Sequence, residues 1–322
     1  MRCLVLSNPN STSLTDKVFR KALAPLLDVA DIHARPTHYQ GHAAETVRGL
    51  TRDDFDAVIV IGGDGTVNEV VSGLIGDTPD PERQPKVGII PTGSANVFVR
   101  ALGFPNDPAE ATAQLAELMK AGTYRRLPVG RVNDRWFCVN VGFGFDAEII
   151  NTMDRLRGHG IPATPWNYSV VSFGAWRALR HTPPHIHFEA SRRDGEVVTG
   201  DVPFIIVSNT NPWTYAGPVP IVTNPQHSIE DGCSLYALSE LSDIGGIRAV
   251  MNVARSSLTG MHGFPVDAQE TRVDDAVAIT LESTKPLKWQ VDGEYAGITS
   301  TLNISTVPKA IDVICPNPTN IE

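Results

Sequence analysis

Ile61-Gly62-Gly63-Asp64-Gly65-Thr66-Val67-Asn68-Glu69-Val70 closes the apolar run Ala57–Ile61 with a glycine-rich turn. The run has the composition of a buried strand, and the glycines let the backbone bend tightly and approach a bound group without Cβ interference. Backbone N–H groups in such a turn, together with the start of a following helix, can cradle phosphate. Asp64 is unusual company for a phosphate. It fits either a metal- or water-bridged triphosphate or a loop organised by its own aspartate. Taken alone, G-G-D-G also describes a purely structural strand-to-helix turn, so the flanking sequence has to decide.

Upstream, Arg2–Ser7 reads as a first strand, followed by the turn Asn8-Pro9-Asn10-Ser11-Thr12-Ser13 and a helix over Leu14–Leu27. Val29–Ala34 reads as a second strand, with a helix from about Gly41 to Leu50. Downstream, Thr66–Leu74 is the helix leaving the turn, and Lys86–Ile90 is a fourth strand that runs into Pro91-Thr92-Gly93-Ser94-Ala95-Asn96. Strands alternating with helices, with chemical turns after successive strands, favour an open α/β layer of mostly parallel strands. The pattern changes after the helix Ala109–Lys120. Short β-rich segments follow, such as Arg135–Val141, His185–Ala190, Val202–Ser208, Leu235–Leu238 and Ala276–Leu281, with helical insertions at Ala147–Arg157 and Asn167–Leu179. The shift sets a boundary near Gly122–Leu127. The expected division is residues 1–126 as an α/β domain, 127–300 as a β-rich domain, and 301–322 as a segment, β-prone over Thr301–Val307, returning to the first.

The 322 residues suffice for two domains, and 24 prolines with 27 glycines imply many turns. A net charge of −9 argues against a nucleic-acid binder whose affinity rests on neutralising phosphates. The charge is uneven: Tyr124–Arg193 holds ten Arg against five acids, a local +5 that leaves −14 elsewhere. Such a basic stretch suits either an anionic lipid surface or plain solvation. No positively charged start leads into a secretory apolar region, and no uninterrupted apolar stretch reaches the ~18 residues that span a bilayer. A cytoplasmic location is expected, with peripheral contact at the inner membrane face left open. Cys3, Cys138, Cys233 and Cys315 are far apart, without metal-ligand spacing, and read as reduced structural residues.

Six motifs occur in order: Asn8-Pro9; Thr37 with Gly41-His42-Ala43; Gly62-Gly63-Asp64-Gly65-Thr66 with Asn68-Glu69; Pro91–Asn96; Val139-Asn140-Val141-Gly142-Phe143-Gly144-Phe145-Asp146; and Val291-Asp292-Gly293-Glu294. Nearly the whole chain thereby resembles the diacylglycerol kinase catalytic-domain family, relatives of sphingosine kinases and NAD kinases. The resemblance implies a Rossmann-like nucleotide-binding domain, a C-terminal β-sandwich domain that takes the lipid, and an active site in the cleft between them. It implies ATP as phosphoryl donor, Mg²⁺ and diacylglycerol, and it allows a homodimer. Nucleotide contacts would come from Asn8, Thr37, Gly62, Gly63, Asp64, Gly65, Thr66, Glu69, Thr92, Gly93, Ser94 and Asn96. Asp292 is then the general base, Glu294 and Asp64 complete the catalytic set, and Asp231 and Glu294 serve the metal. Asp292-Gly293, taken alone, reads first as an exposed hairpin turn; the other motifs favour the catalytic assignment.

The chemistry fits a kinase without a Walker A lysine, since no G-x-x-x-x-G-K-[ST] is present. An acceptor hydroxyl must lose its proton and Mg²⁺ must counter phosphate charge, needs that a carboxylate turn can supply. Two positions depart from the family pattern. Ser234 stands where relatives carry an acid after the D-G of Asp231-Gly232, and Val97 replaces the acid of N-D-F, so neither hydrogen-bond network carries over whole. His42 and Asp146 each fit a local hydrogen bond as well as a site role. Trp166, Tyr168, Phe173 and Trp176, flanked by Arg155, Arg157, Arg177 and Arg180, fit a lipid interface or ordinary core packing. A sphingoid-base or other lipid kinase, an NAD kinase and a noncatalytic lipid-binding regulator are the alternatives.

Overall fold

The computed structural model describes residues 1–9, 16–159, 165–179, 182–240 and 270–318. The first turn's Asn10–Ser13, together with Leu14 and Arg180, lies outside them. So do the side chains of Trp166, Tyr168, Trp176 and Arg157. By contact density the chain divides into two compact units, Met1–Val129 with Pro308–Glu322, and Gly130–Val307.

In the first unit, β1 (Arg2–Ser7), α1 (Asp16–Leu27), β2 (Asp31–Pro36), α2 (His42–Val47), β3 (Ala57–Gly62), α3 (Asp64–Ile75), β4 (Lys86–Pro91), α4 (Val97–Ala101) and α5 (Pro108–Ala121) alternate. β1 pairs in parallel with β2 and β3, and β3 with β4. Every residue of β3 is buried, as an apolar run covered on both faces requires. The registers Ser7 with Pro36, Ser7 with Ile61 and Gly62 with Pro91 bring the carboxyl ends of all four strands level. α5 begins on Asp107, whose side chain accepts from the N–H groups of Ala109 and Glu110, and ends on Gly122 in the left-handed region. α3 packs so tightly on α2 that a Cβ at Gly73 would lie 2.5 Å from the Ala44 carbonyl oxygen.

The remaining strands are β5 (Arg125–Val132), β6 (Arg135–Phe137), β7 (Asn140–Phe143), β8 (Ile186–Arg192), β9 (Val197–Val202), β10 (Phe204–Ser208), β11 (Thr214–Ala216), β12 (Val219–Ile221), β13 (Cys233–Leu238), β14 (Glu270–Val291) and β15 (Glu294–Val313). Helices α6 (Phe145–Gly158) and α7 (Pro165–Leu179) lie between β7 and β8 in the sequence. Phe137, Phe143, Phe188, Leu235, Leu281 and Leu302 lie in one buried cluster of the second unit.

The expectation of a Rossmann-like domain and a separate β-sandwich flanking a cleft is corrected. Strands from both halves of the sequence join one 13-stranded mixed sheet, with the path β13-β10-β7-β14-β15-β4-β3-β1-β2. The physical reason is the length of the last two strands, 22 and 20 residues. β15 pairs antiparallel with β14 along most of its length and ends in parallel pairing, Val313 with Val87 of β4. It so gives β4 a hydrogen-bonded neighbour where a sandwich would leave an open edge. All four cysteines are buried and outside any disulfide; burial pushes the Cys3 thiol up to about 11 and that of Cys233 up to about 12. Among the described residues no helix is long and apolar enough to cross a membrane.

Residues 308–318 are fastened to the first unit by Asp312, whose side chain is fully buried. Its oxygens accept from Arg126 Nε at 2.7 Å and Nη2 at 3.0 Å, and from Arg52 Nη2 at 2.8 Å. Arg126 also reaches Glu82 at 2.6 Å, and Arg52 holds the carbonyls of Pro81 and Gln84. The arginines remain 31% and 28% exposed, so water screens part of the interaction. Asp312→Ala is therefore expected to cost about 2–4 kcal/mol, at the low end for a broken buried ion pair. A urea midpoint unchanged from the parent would show that Asp312 does not fasten the segment.

Candidate functional site

The carboxyl edge of β1–β4 carries most of the sequence-derived candidates. Thr92 N–H donates to the Gly62 carbonyl at 3.0 Å, Asn8 N–H to that of Ile61 at 3.2 Å, and Thr37 N–H to that of Ser7 at 2.8 Å. The two glycine turns meet back to back: a Cβ on Gly93 would sit 2.5 Å from the Gly63 Cα. A Cβ on Gly62 would strike Thr66 at 2.8 Å. These positions need glycine for proximity rather than for a left-handed backbone. Asn96 does adopt φ 52 and folds its amide back onto its own turn, accepting from Gly93 N–H at 2.9 Å and donating to the Gly93 carbonyl at 3.0 Å. The same amide donates to Asn106 at 2.7 Å. Thr92 is buried and Ser94 exposed.

Asp64 opens α3 and accepts from the N–H groups of Val97 and Phe98, each at 3.0 Å. It thus caps α4 across the second turn and locks one loop to the other. Burial raises its carboxyl pKa, opposed by the amides of Phe98 and Val97. Val97 contributes through its backbone, which explains how the loop closes without the acid of N-D-F. Glu69, one turn further along α3, accepts from Gly41 N–H at 2.7 Å and Ala43 N–H at 3.2 Å, tying the G-H-A element to the same helix. Asn8 Nδ2 lies 3.5 Å from Thr66 Oγ1. Geometry that suits an anion is present here: paired turns without Cβ atoms, beside the N-terminus of a 12-residue helix.

A second candidate group lies within Gly130–Val307. Asp292 and Gly293 join β14 to β15 with φ of 48 and 79, the left-handed pair of a tight hairpin. Asp292 is buried, 9% exposed as a residue, and its carboxylate accepts from three successive backbone N–H groups: Cys138 on Oδ2 at 2.8 Å, Val139 and Asn140 on Oδ1 at 2.8 and 2.9 Å. Asn209 holds that segment from its other side, donating to the carbonyls of Val139 at 2.7 Å and Cys138 at 3.1 Å. Glu294 is exposed, so the two acids of the turn face different surroundings.

Sequence reasoning missed Gln290. This fully buried amide accepts from Gly293 N–H at 2.8 Å and donates to Asn140 Oδ1 and Asp146 Oδ2, each at 2.7 Å. A polar residue between Trp289 and Val291 on a buried strand was its only signal. Asp231 N–H donates to the Ser228 carbonyl, and its carboxylate faces Arg193 at 3.8 Å. Ser234 is buried and donates to the Ser208 carbonyl at 3.3 Å, where a carboxylate would meet an acceptor. Among the described residues, no three or more His, Cys, Asp or Glu side chains are grouped to hold a metal.

Asp146 packs against Gly142 so closely that a Cβ there would fall 2.0 Å from its Oδ2. Burial pushes its carboxyl up to about 6, against the lowering contact with Gln290. The folded chain thus holds this proton more tightly than the unfolded chain. The resulting stability is fully present below about pH 4 and is lost as pH rises through about 6, on the order of 3 kcal/mol in all. Asp146→Asn should remove this loss in urea unfolding followed across that range. An unaltered pH dependence would show that Asp146 is not its source.

Residues 2–132 match the family model of the diacylglycerol kinase catalytic domain. Over 320 residues the chain is 28% identical to the diacylglycerol kinase of Staphylococcus aureus strain JH9, covering 98% of this chain and 93% of that protein. Two crystal structures bearing the diacylglycerol kinase name, both from Bacillus anthracis str. Sterne, share the fold. One has a TM-score of 0.75 at 24% identity and the other 0.70 at 21%, each covering 98% of this chain and 97% of its own. By the domain match, residues 2–132 belong to the diacylglycerol kinase catalytic-domain family, and over its length the chain is similar to the diacylglycerol kinases named above.

Proposed function

We propose that the chain is an ATP-dependent lipid kinase that transfers the γ-phosphoryl group of Mg-ATP to the hydroxyl of diacylglycerol, forming phosphatidate and ADP. The observation that carries this reading is the pair of glycine turns held back to back after β3 and β4, beside the α3 N-terminus. Gly62, Gly63, Gly65, Thr66, Thr92, Gly93, Ser94, Asn8 and Thr37 are the proposed nucleotide contacts. Asp64 and Asn96 hold the two glycine turns in shape through backbone amides, and Glu69 holds the amides of Gly41 and Ala43 beside them. With no Walker A lysine, backbone N–H groups provide the phosphate contacts. Mg²⁺ carried with the nucleotide supplies charge neutralisation, and Glu294 and Asp231 are the carboxylates proposed to meet it.

In the proposed reaction the lipid hydroxyl oxygen bonds to the γ-phosphorus, the bond from that phosphorus to the ADP oxygen breaks, and the hydroxyl proton passes to Asp292. Three amides fix the orientation of that carboxylate before substrate arrives, which is what a positioned base requires. Support for the lipid acceptor comes from the name of the S. aureus relatives. Val170 and Phe173 of α7, 53% and 62% exposed, with the exposed Arg155 and Arg177, are the proposed contact with the inner face of the cell membrane.

The test is the purified protein with Mg-ATP against diacylglycerol, a sphingoid base, another lipid alcohol and NAD, with products identified by mass. Phosphatidate formation is expected; phosphorylation of NAD without lipid turnover, or lipid binding without turnover, would sink the assignment. Asp292→Asn should lower lipid-dependent turnover by ~10²- to 10⁴-fold, since an amide cannot accept the hydroxyl proton. Mg-ATP binding should persist. Near-normal turnover by this variant at saturating lipid would remove Asp292 from the base role while leaving the kinase assignment standing.

A further inference from the structure

Thr37-His38-Tyr39-Gln40-Gly41-His42 leaves the carboxyl end of β2 and carries three aromatic rings within five residues. Tyr39 stacks on His42 with centroids 4.8 Å apart and planes 28° apart, and His38 stacks on the same imidazole at 5.2 Å and 27°. The rings are fixed by hydrogen bonds as well as by contact. Tyr39 Oη donates to Glu45 Oε2 at 2.6 Å, and His42 Nδ1 accepts from His38 N–H at 3.2 Å, which leaves the neutral imidazole's proton on Nε2. Even so braced, Tyr39 remains 57% exposed. A large ring already stacked on one side and still this open presents its other face to solvent. A stack left open on one side is the arrangement that a further flat ring can complete at favourable stacking distance.

Its place in the fold says which flat ring. Ligands of open parallel sheets bind outside the carboxyl ends of the strands. The β2 end lies two strand spacings from β3, roughly 10 Å, the order of the separation between the base and the outer phosphates of an extended nucleotide. The platform and the phosphate-type turns are also one mechanical piece, since Glu69 of α3 holds the amides of Gly41 and Ala43 while Asp64 at the start of α3 holds the second turn. We propose that Tyr39, backed by His42, is the stacking face for the nucleobase of the phosphoryl donor, with the phosphates on the turns after β3 and β4. This assignment rests on the kinase reading above and adds to it a site for the base.

Direct binding to the full-length protein tests it, using Mg-ATP and, as a probe with phosphates and no base, inorganic tripolyphosphate with Mg²⁺. Tyr39→Ala should weaken Mg-ATP about 5- to 150-fold, the equivalent of stacking one base on one aromatic ring, and leave tripolyphosphate unchanged. Tyr39→Phe and Tyr39→Trp keep a stacking face and should stay near the parent. Undiminished Mg-ATP affinity in Tyr39→Ala would overturn the platform alone. An equal loss for tripolyphosphate would also overturn it, by showing that the substitution disturbs the turns. A parent protein that binds tripolyphosphate but gains nothing from the adenosine would overturn it as well. Failure of the parent to bind Mg-ATP at all would overturn both the platform and the kinase assignment.

Discussion

Two backbone turns meet at Gly63 and Gly93, with no room for a Cβ on Gly93 and a tight 3.0 Å contact for one on Gly63. That approach constrains everything around it. It requires β3 and β4 to be adjacent, parallel and level at their ends, as the register of Gly62 with Pro91 provides. It also sets the start of α3, because the chain turns into the helix immediately after Gly63. Glycine here answers a contact between main chains, so even alanine would have to push the turns apart.

Carboxylates stabilise this arrangement by one recurring means. Asp64, Glu69 and Asp292 each have both oxygens on backbone N–H groups of a distant segment. A side-chain oxygen that accepts a main-chain donor satisfies a group that would otherwise be costly to bury, and it fixes a turn that has no ladder of its own. Acids that stand out in a motif therefore need not all touch the reacting atoms. In this chain Asp64 and Glu69 hold main-chain amides, and Asp292, fixed in the same way, is the carboxylate that the proposed transfer would use as its base.

The sequence was most legible where local chemistry and local structure coincide. Ala57–Ile61 followed by Gly62-Gly63 specified strand, turn and helix together, and the helix read over Ala109–Lys120 is α5, Pro108–Ala121. It was least legible where a property depends on distant partners. The segments around Ala276 and Thr301 read as short strands because Pro286, Gly297 and Pro308 interrupt the pattern. Yet β14 and β15 run through these residues, with register shifts between Glu282 and Leu287 and between Trp289 and Gln290. The polar face of Gln290 was hidden for the same reason: its partners, Asn140 and Asp146, are roughly 150 residues away along the chain.

The pairing of Val313 with Val87 has a consequence for how the chain is made. Synthesis proceeds from the N-terminus, so β1 to β4 can assemble on the ribosome while the strand that borders β4 is still untranslated. Throughout that interval β4 presents an apolar, hydrogen-bonding edge to whatever is near, the kind of surface that recruits neighbouring chains. Closing it requires bringing together residues far apart in sequence, a step that topology makes slow. The nascent protein thus passes through a stage in which β4 is an adhesive edge, and that stage ends only when Val313 has emerged.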